Sequence, residues 1–310
     1  MTRAATLSLF AIALLAAGAA GGWQQPPARP IPPVSPLPAP AEGLPPKAKG
    51  DIELIPESVL EWNLLVTWYG NPRSNRMGIL GEYRGEALAE GLREQARAYQ
   101  GLTPKRVMPA YELIATVATN TPGRDGMWRR RETADVIERM LQEARANKFK
   151  LILDVQVGHS TVPRELEYLR KYVEEPDVYV ALDPEFHMWE GQTPGRQIGH
   201  TLADDVNYTI GWMDRIIRAR NLPPKVLIVH QFTLNMLPDK EKVKDSPLVD
   251  VALDMDGWGG RELKVATYRM VTRKPLEYLG IKLFYRKDTR MLMPAEVLAL
   301  KPLPSVVVYQ

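Results

Sequence analysis

The 310-residue chain contains no cysteine. That excludes a disulfide framework, thiolate catalysis, Cys-ligated zinc and iron–sulfur clusters, and also a lipidated N-terminal cysteine. Histidine is scarce, with four in the chain and no compact His-rich metal signature. A charge surplus is missing too. Residues 1–50 carry Arg3, Arg29, Lys47 and Lys49 against Glu42, which leaves 36 bases and 36 acids to the remainder. A neutral folded part argues against a nucleic-acid-binding domain, which concentrates Lys and Arg on one face. After the first 20 residues no apolar run approaches the roughly 20 residues of a membrane span.

Proline is plentiful but uneven, and ten of the 27 fall between Pro26 and Pro46. Three segments result. Residues 1–20 read as a cleavable secretion signal, with Arg3, an apolar run over 7–17 and Ala17-Gly18-Ala19 as cleavage site. Residues 21–50 are Pro/Ala-rich with few aromatic or β-branched side chains, so they read as a disordered linker able to hold the domain away from a cell envelope. Residues 51–310 read as one catalytic domain. The expectation is a secreted or periplasmic protein with no integral membrane segment in the mature chain.

From Asp51 onward short runs rich in Val, Ile, Leu and Tyr alternate with amphipathic stretches, the pattern of a parallel α/β sheet. Strands are expected at 63–68, 106–110, 150–155, 178–183, 225–230, 249–254, 280–285 and 305–309. Helices are expected at 85–99, 131–147, 162–173, 203–220, 262–272 and 294–300, with a weak one near 239–243. Eight strands in this length predict a single (β/α)8 TIM barrel. An open doubly wound sheet is the alternative, but no Gly-rich phosphate turn follows the first strand.

In such a barrel the residues that end each strand line the site. Here they are Trp68-Tyr69, Tyr111-Glu112, Asp154 and Gln156 with His159 after them, Asp183-Pro184-Glu185 with His187, His230-Gln231, Asp254-Met255-Asp256 with Trp258, and Tyr285-Arg286-Lys287. Aromatic faces stack on sugar rings, while carboxylates and amides bind hydroxyls, so this mixture suits a carbohydrate cleft. Trp68, Tyr69, Tyr111, Asp154, Gln156, His159, His187, Trp189, His230, Gln231, Trp258 and Tyr285 are the candidate substrate contacts. Arg196, on the loop after the fourth strand, is a candidate clamp for Asp183 or Asp154. Trp212, Met213, Met140 and Leu141 sit at helical spacing and read as core.

Asp183 and Glu185 are separated by one residue at the end of an apolar strand, so alternation would aim both toward the barrel axis. Like charge on one raises the pKa of the other, as a general acid requires. Glu185 is the candidate proton donor and Asp183 its tuner. Asp254 or Asp256 is the candidate second carboxylate, as base or nucleophile.

The Asp183-Pro184-Glu185 motif, with the strand order, resembles the strand-four D-x-E of (β/α)8-barrel glycoside hydrolases of the chitinase type. That resemblance implies that Glu185 protonates the glycosidic oxygen and that Asp183 assists the substrate. The sequence departs from the pattern in having Tyr179 and Val180 where a further Asp would stand. It departs from barrel glycosidases with a strand-seven Glu nucleophile in ending that strand with Tyr285-Arg286-Lys287-Asp288.

The leading expectation is therefore an exported glycoside hydrolase acting on a polysaccharide or envelope glycan, with neither cofactor nor metal. A divalent-metal-dependent phosphodiesterase built on Asp154, Asp183, Glu185, His230, Asp254 and Asp256 is the second. A non-catalytic envelope glycan-binding barrel is the third.

Overall fold

The computed structural model describes residues 58–273 and 276–310. The expected signal at 1–20 and linker at 21–50 lie outside the described residues. Eight parallel strands close into a barrel: β1 (Asn63–Gly70), β2 (Arg106–Ala118), β4 (Lys150–Val155), β5 (Val178–Leu182), β6 (Lys225–His230), β7 (Val249–Met255), β8 (Tyr278–Leu283) and β9 (Val306–Tyr309), with β9 returning to β1. A short strand, β3 (Arg129–Arg131), pairs antiparallel with the extended end of β2. The closed ring removes both sheet edges and rules out the open doubly wound alternative.

Helices α2 (Gly85–Arg97), α3 (Ala134–Ala146), α4 (Val162–Val173), α5 (Ala203–Arg220), α6 (Arg261–Val271) and the short α7 (Pro294–Leu298) follow successive strands. Between β6 and β7 two 3-10 turns, Leu234–Met236 and Lys240–Lys242, stand where a weak helix was expected. One turn of helix before the barrel, α1 (Val59–Trp62), was not expected. It is tied to the N-terminal end of the strands, where Asp250 accepts the Leu60 N–H at 2.6 Å and the Ser58 hydroxyl at 2.9 Å. Leu60 is buried within the barrel's inner cluster, closing that end. Among the described residues no helix is long and apolar enough to cross a membrane.

Strand alternation sorts the apolar residues into two cores. Leu65, Ala110, Ile114, Ile152, Tyr179, Ala181, Val226, Ile228, Ala252, Val306 and Val308 pack inside the barrel. Leu64, Val66, Leu113, Leu151, Leu153, Val180, Leu227, Val229, Val251, Leu253, Ile281 and Val307 face outward against the helices, joined there by Met140, Leu141, Trp212 and Met213. The period of two that aims an apolar residue inward at one level aims a polar one inward at the next.

Among the boundaries that differ from expectation, those of β2 and β8 bear on the site. β2 runs on to Ala118, so Tyr111 and Glu112 lie within the strand, on opposite faces. β8 runs from Tyr278 to Leu283, so Lys282 stays within the strand, as expected, and Tyr285 falls in the loop beyond it.

Candidate active site

At the C-terminal half of the barrel the inward positions turn polar. Thr67, Tyr69, Glu112, Asp154, Gln156, Asp183, His230, Asp254, Asp256 and Lys282 are all buried, and Glu185 is partly buried. Two layers can be distinguished, a deep one centred on His230 and an outer one centred on Glu185.

In the deep layer His230 bridges two carboxylates, with Nε2 3.0 Å from Glu112 Oε1 and Nδ1 3.0 Å from Asp254 Oδ2. Ionised carboxylates only accept, so both ring nitrogens carry hydrogen and the ring is an imidazolium. Burial and the nearby Lys282 charge work against that proton. The hydrogen bonds to Asp254 and Glu112 outweigh them and hold the His230 pKa well above its ordinary range. Thr67 donates to the other Glu112 oxygen at 3.0 Å. Gly280 faces Asp254 across the β7–β8 ladder. A Cβ at Gly280 would lie 2.6 Å from Asp254 Oδ1, so the absent side chain is what admits the carboxylate.

Tyr69 and Gln156 connect the layers. The Tyr69 hydroxyl donates to Asp154 Oδ2 at 3.0 Å, and the Gln156 amide donates to Asp183 Oδ2 at 3.2 Å. Gln156 is oriented from behind, because its Oε1 accepts the Ala118 N–H at 3.0 Å. Burial, then the charge of Asp183, pushes the Asp154 carboxyl well above its usual range. Burial, with Asp154 beside it, likewise raises Tyr69.

In the outer layer β5 ends at Leu182, and Asp183 caps a 3-10 turn, Pro184–Phe186. Its Oδ1 accepts the Glu185 N–H at 3.1 Å. Pro184, at the first position of the turn, sacrifices no hydrogen bond there. The capped turn, rather than continued strand alternation, therefore brings the two carboxyls together. One oxygen each from Asp183, Glu185 and Asp256 lies within 4.8 Å of the others. Burial, then the charges of Asp183 and Asp256, raises Glu185 to about 8. Burial raises Asp256 to about 7 against the opposing cations His230 and Lys282, and burial also raises Asp183. Asp256 Oδ1 is buried without a hydrogen-bond partner among the described residues. Spacing of this kind could equally hold a divalent ion. Atoms of Glu112, Asp154 and His230 lie equally close together, but an imidazolium has no lone pair to offer a metal.

The expected site residues thus divide. Tyr69, Asp154, Gln156, Asp183, Glu185, His230, Asp254 and Asp256 converge inside the barrel. Trp68 and Tyr111 do not: they face outward, Trp68 packed so tightly on α2 that a Cβ at Gly91 would overlap its ring. Tyr111 packs edge-on against Phe149 at 5.4 Å, so neither can be a sugar platform. Gln231 is buried and accepts from Lys240 at 3.3 Å. Tyr285 stacks on Tyr309 at 5.5 Å and donates to Gln95 of α2 at 2.7 Å, held away from the barrel axis.

The loop residues fare differently. His159 Nε2 lies 2.8 Å from the Gln192 carbonyl. His187 Nδ1 lies 2.8 Å from the Thr201 hydroxyl, and burial, then the nearby His200 and His159, lowers its pKa to about 4. Trp189 is 43% exposed and stacks flat on His200 at 4.6 Å. Trp258 is 48% exposed, with the Lys287 ammonium 5.5 Å from its ring centre. Arg196 is exposed and forms no ion pair with Asp183 or Asp154 among the described residues.

Thr67 and Lys282 were not expected in the site, and Glu112, expected at its rim, was given no role there. Each sits at an inward position of its strand, a signal that the period of two carries once the strand boundaries are correct.

No protein-family model matches the sequence, and no curated protein does. Among solved structures the chain is similar to the cellulose synthase subunit Z of Clostridioides difficile, at 9% identity and TM-score 0.39 over 80% of this chain and 91% of that one. It is also similar to a GH18 chitinase from Pseudoalteromonas aurantia, at 10% identity and TM-score 0.35 over 79% and 92%. A third likeness is to a β-mannanase, complexed with gluco-manno-oligosaccharide, from a symbiotic protist of the termite Reticulitermes speratus, at 10% identity and TM-score 0.26 over 79% and 69%. At such identities and TM-scores the likeness gives neither a family nor an activity.

Proposed function

We propose that the chain is an exported glycoside hydrolase in which Glu185 is the general acid and Asp256 the second carboxylate. The observation that carries this reading is the convergence of Glu185, Asp183 and Asp256 at the C-terminal mouth of a closed barrel, with a burial that keeps a proton on Glu185.

A protonated Glu185 would give its proton to the glycosidic oxygen as the C–O bond breaks. An ionised Asp256 would stabilise the positive charge developing on the sugar ring or attack the anomeric carbon. The short spacing of their oxygens is nearer the roughly 5–5.5 Å between carboxyls of enzymes that form a covalent intermediate than the roughly 6.5–9.5 Å of those that admit a water. Water would then release the sugar, its proton returning to Glu185. Asp183, fixed by Gln156 and by the Glu185 N–H, keeps negative charge beside the acid and so favours its protonated form. The signal-like residues 1–20 and the Pro-rich 21–50 support export and an envelope-tethered position.

The test is Glu185→Gln on a panel of neutral and acidic glycans. Loss of about 10²–10⁴-fold in kcat with the fold retained is expected, and an unchanged rate overturns the reading. The spacing of the acids favours one other reading, a divalent-metal-dependent hydrolase, for which EDTA would abolish activity and added metal restore it.

A further inference from the structure

Beside the acids of the site stand two lysines, Lys282 and Lys287, that have no carboxylate partner among the described residues. Lys282 is 3% exposed, and its ammonium lies 3.4 Å from the centre of the Tyr69 ring and 5.6 Å from that of Phe284. The Lys287 ammonium lies 5.6 Å from the same Phe284 ring and 5.5 Å from that of Trp258. Among the described residues neither forms a hydrogen bond or an ion pair through its ammonium. Other buried lysines of this barrel are satisfied. Lys264 donates to Asp288 at 2.8 Å and to the carbonyls of Gly257 and Lys282, and Lys225 donates to the carbonyls of Glu175 and Val178.

An ammonium has three hydrogens to donate, and leaving them unmet is costly for a buried group such as Lys282, whereas Lys287 is exposed. The aromatic faces beneath Lys282 and Lys287 stabilise the charge but accept no conventional hydrogen bond. Both ammonium groups flank the one Phe284 ring, and both cations oppose the rise that burial, Asp183 and Asp256 impose on Glu185. With Glu185 protonated, the charges of Asp183 and Asp256 are matched by Lys282 and Lys287. The outer mouth is therefore close to neutral and does not repel an anion.

We propose that Lys282 and Lys287 form a subsite for the acidic group of an anionic sugar residue, with the exposed Trp258 as its ring platform. This rests on the glycan reading above and narrows the substrate class to polysaccharides bearing carboxylates. The acidic group would take the free hydrogens of both ammonium groups, while the open part of the Trp258 face covers the sugar ring.

The test compares binding, by titration calorimetry on the full chain, of oligogalacturonate, oligomannuronate and hyaluronan hexasaccharides, each beside its carboxyl-reduced neutral counterpart. At least one acidic member should bind about tenfold or more tightly than its reduced form, the affinity ratio of a single charge-assisted contact. That preference should fall in Lys287→Gln, whose exposed position spares the fold, and in Lys282→Met if that buried variant folds. High salt should weaken the acidic ligand selectively. The proposal is overturned if no acidic member binds more tightly than its reduced form, or if Lys287→Gln keeps the full preference. Reducing-end release measured in parallel separates the two ideas. Acid-selective binding without cleavage keeps the subsite and removes the hydrolase reading, and cleavage of neutral glycans without acid preference does the reverse.

Discussion

His230 Nε2 stands 3.0 Å from Glu112 Oε1, a contact across the full width of the barrel between two side chains that no solvent reaches. Asp254 takes the opposite ring nitrogen, so one imidazolium binds β2 to β7 from the inside. His230→Gln should destabilise the fold by about 3–5 kcal/mol, because it leaves two buried carboxylates facing each other unpaired. Urea denaturation checks this, and a loss under about 1 kcal/mol would mean the pair is not a buried ion pair.

The raised acids set the direction of the pH dependence of stability. Glu185 and Asp256 keep their protons in the folded chain up to about 8 and about 7, whereas the unfolded chain releases them near 4. The folded state therefore binds more protons across that interval, and stability falls as pH rises through it. His230 adds to the same trend: its raised pKa contributes stability that is full below its unfolded value and is lost as pH rises through the folded one. The urea midpoint should be lower at pH 8 than at pH 5.5, and Asp256→Asn, which cannot ionise, should flatten that slope. A midpoint rising toward pH 8 would contradict the assignment.

Activity should be confined to a narrow window. The mechanism needs Asp256 ionised and Glu185 protonated, so kcat/KM should be bell-shaped with limbs near 7 and near 8. These limbs belong to the coupled acids as a set. Asp183→Asn removes the negative charge beside Glu185 and should move the alkaline limb downward. A profile flat from pH 5 to 9 would exclude acid–base roles for both residues.

Gly280→Ala tests the packing that admits Asp254. The added Cβ would meet Asp254 Oδ1 at 2.6 Å, and relief requires the β7–β8 ladder or the His230 contact to give way. A loss of about 1–3 kcal/mol is expected, read as a lower thermal midpoint, with activity falling alongside. An unchanged midpoint would show that the carboxylate moves without cost.

The aromatic residues divide in a way that kinetics can check. Trp258→Ala should raise KM for glycans without changing the fold, since Trp258 is half exposed and packs on Lys287. Tyr111→Phe should leave KM unchanged, because its hydroxyl is sealed between strand and helix. Equal effects of the two substitutions would show that the outer aromatics do not form the platform.

The sequence by itself determined the barrel, because strands buried on both faces must be apolar along their length and helices buried on one face must not. Both α4 and α5 coincide with their expected ranges for that reason. It also singled out Asp183, Glu185, Asp254 and Asp256, which the structure gathers inside the barrel, since acids at the ends of apolar strands have no burial advantage to explain them. Only the tertiary structure decided which neighbours share a face. Tyr111 and Glu112 are adjacent in sequence, and a strand boundary moved by several residues changes which of them is read as lining the site. The cations His230 and Lys282, which make six inward carboxyls compatible with one closed interior, come from strands far apart in the chain. Their partnership depends on barrel closure, a long-range condition that local periodicity does not encode.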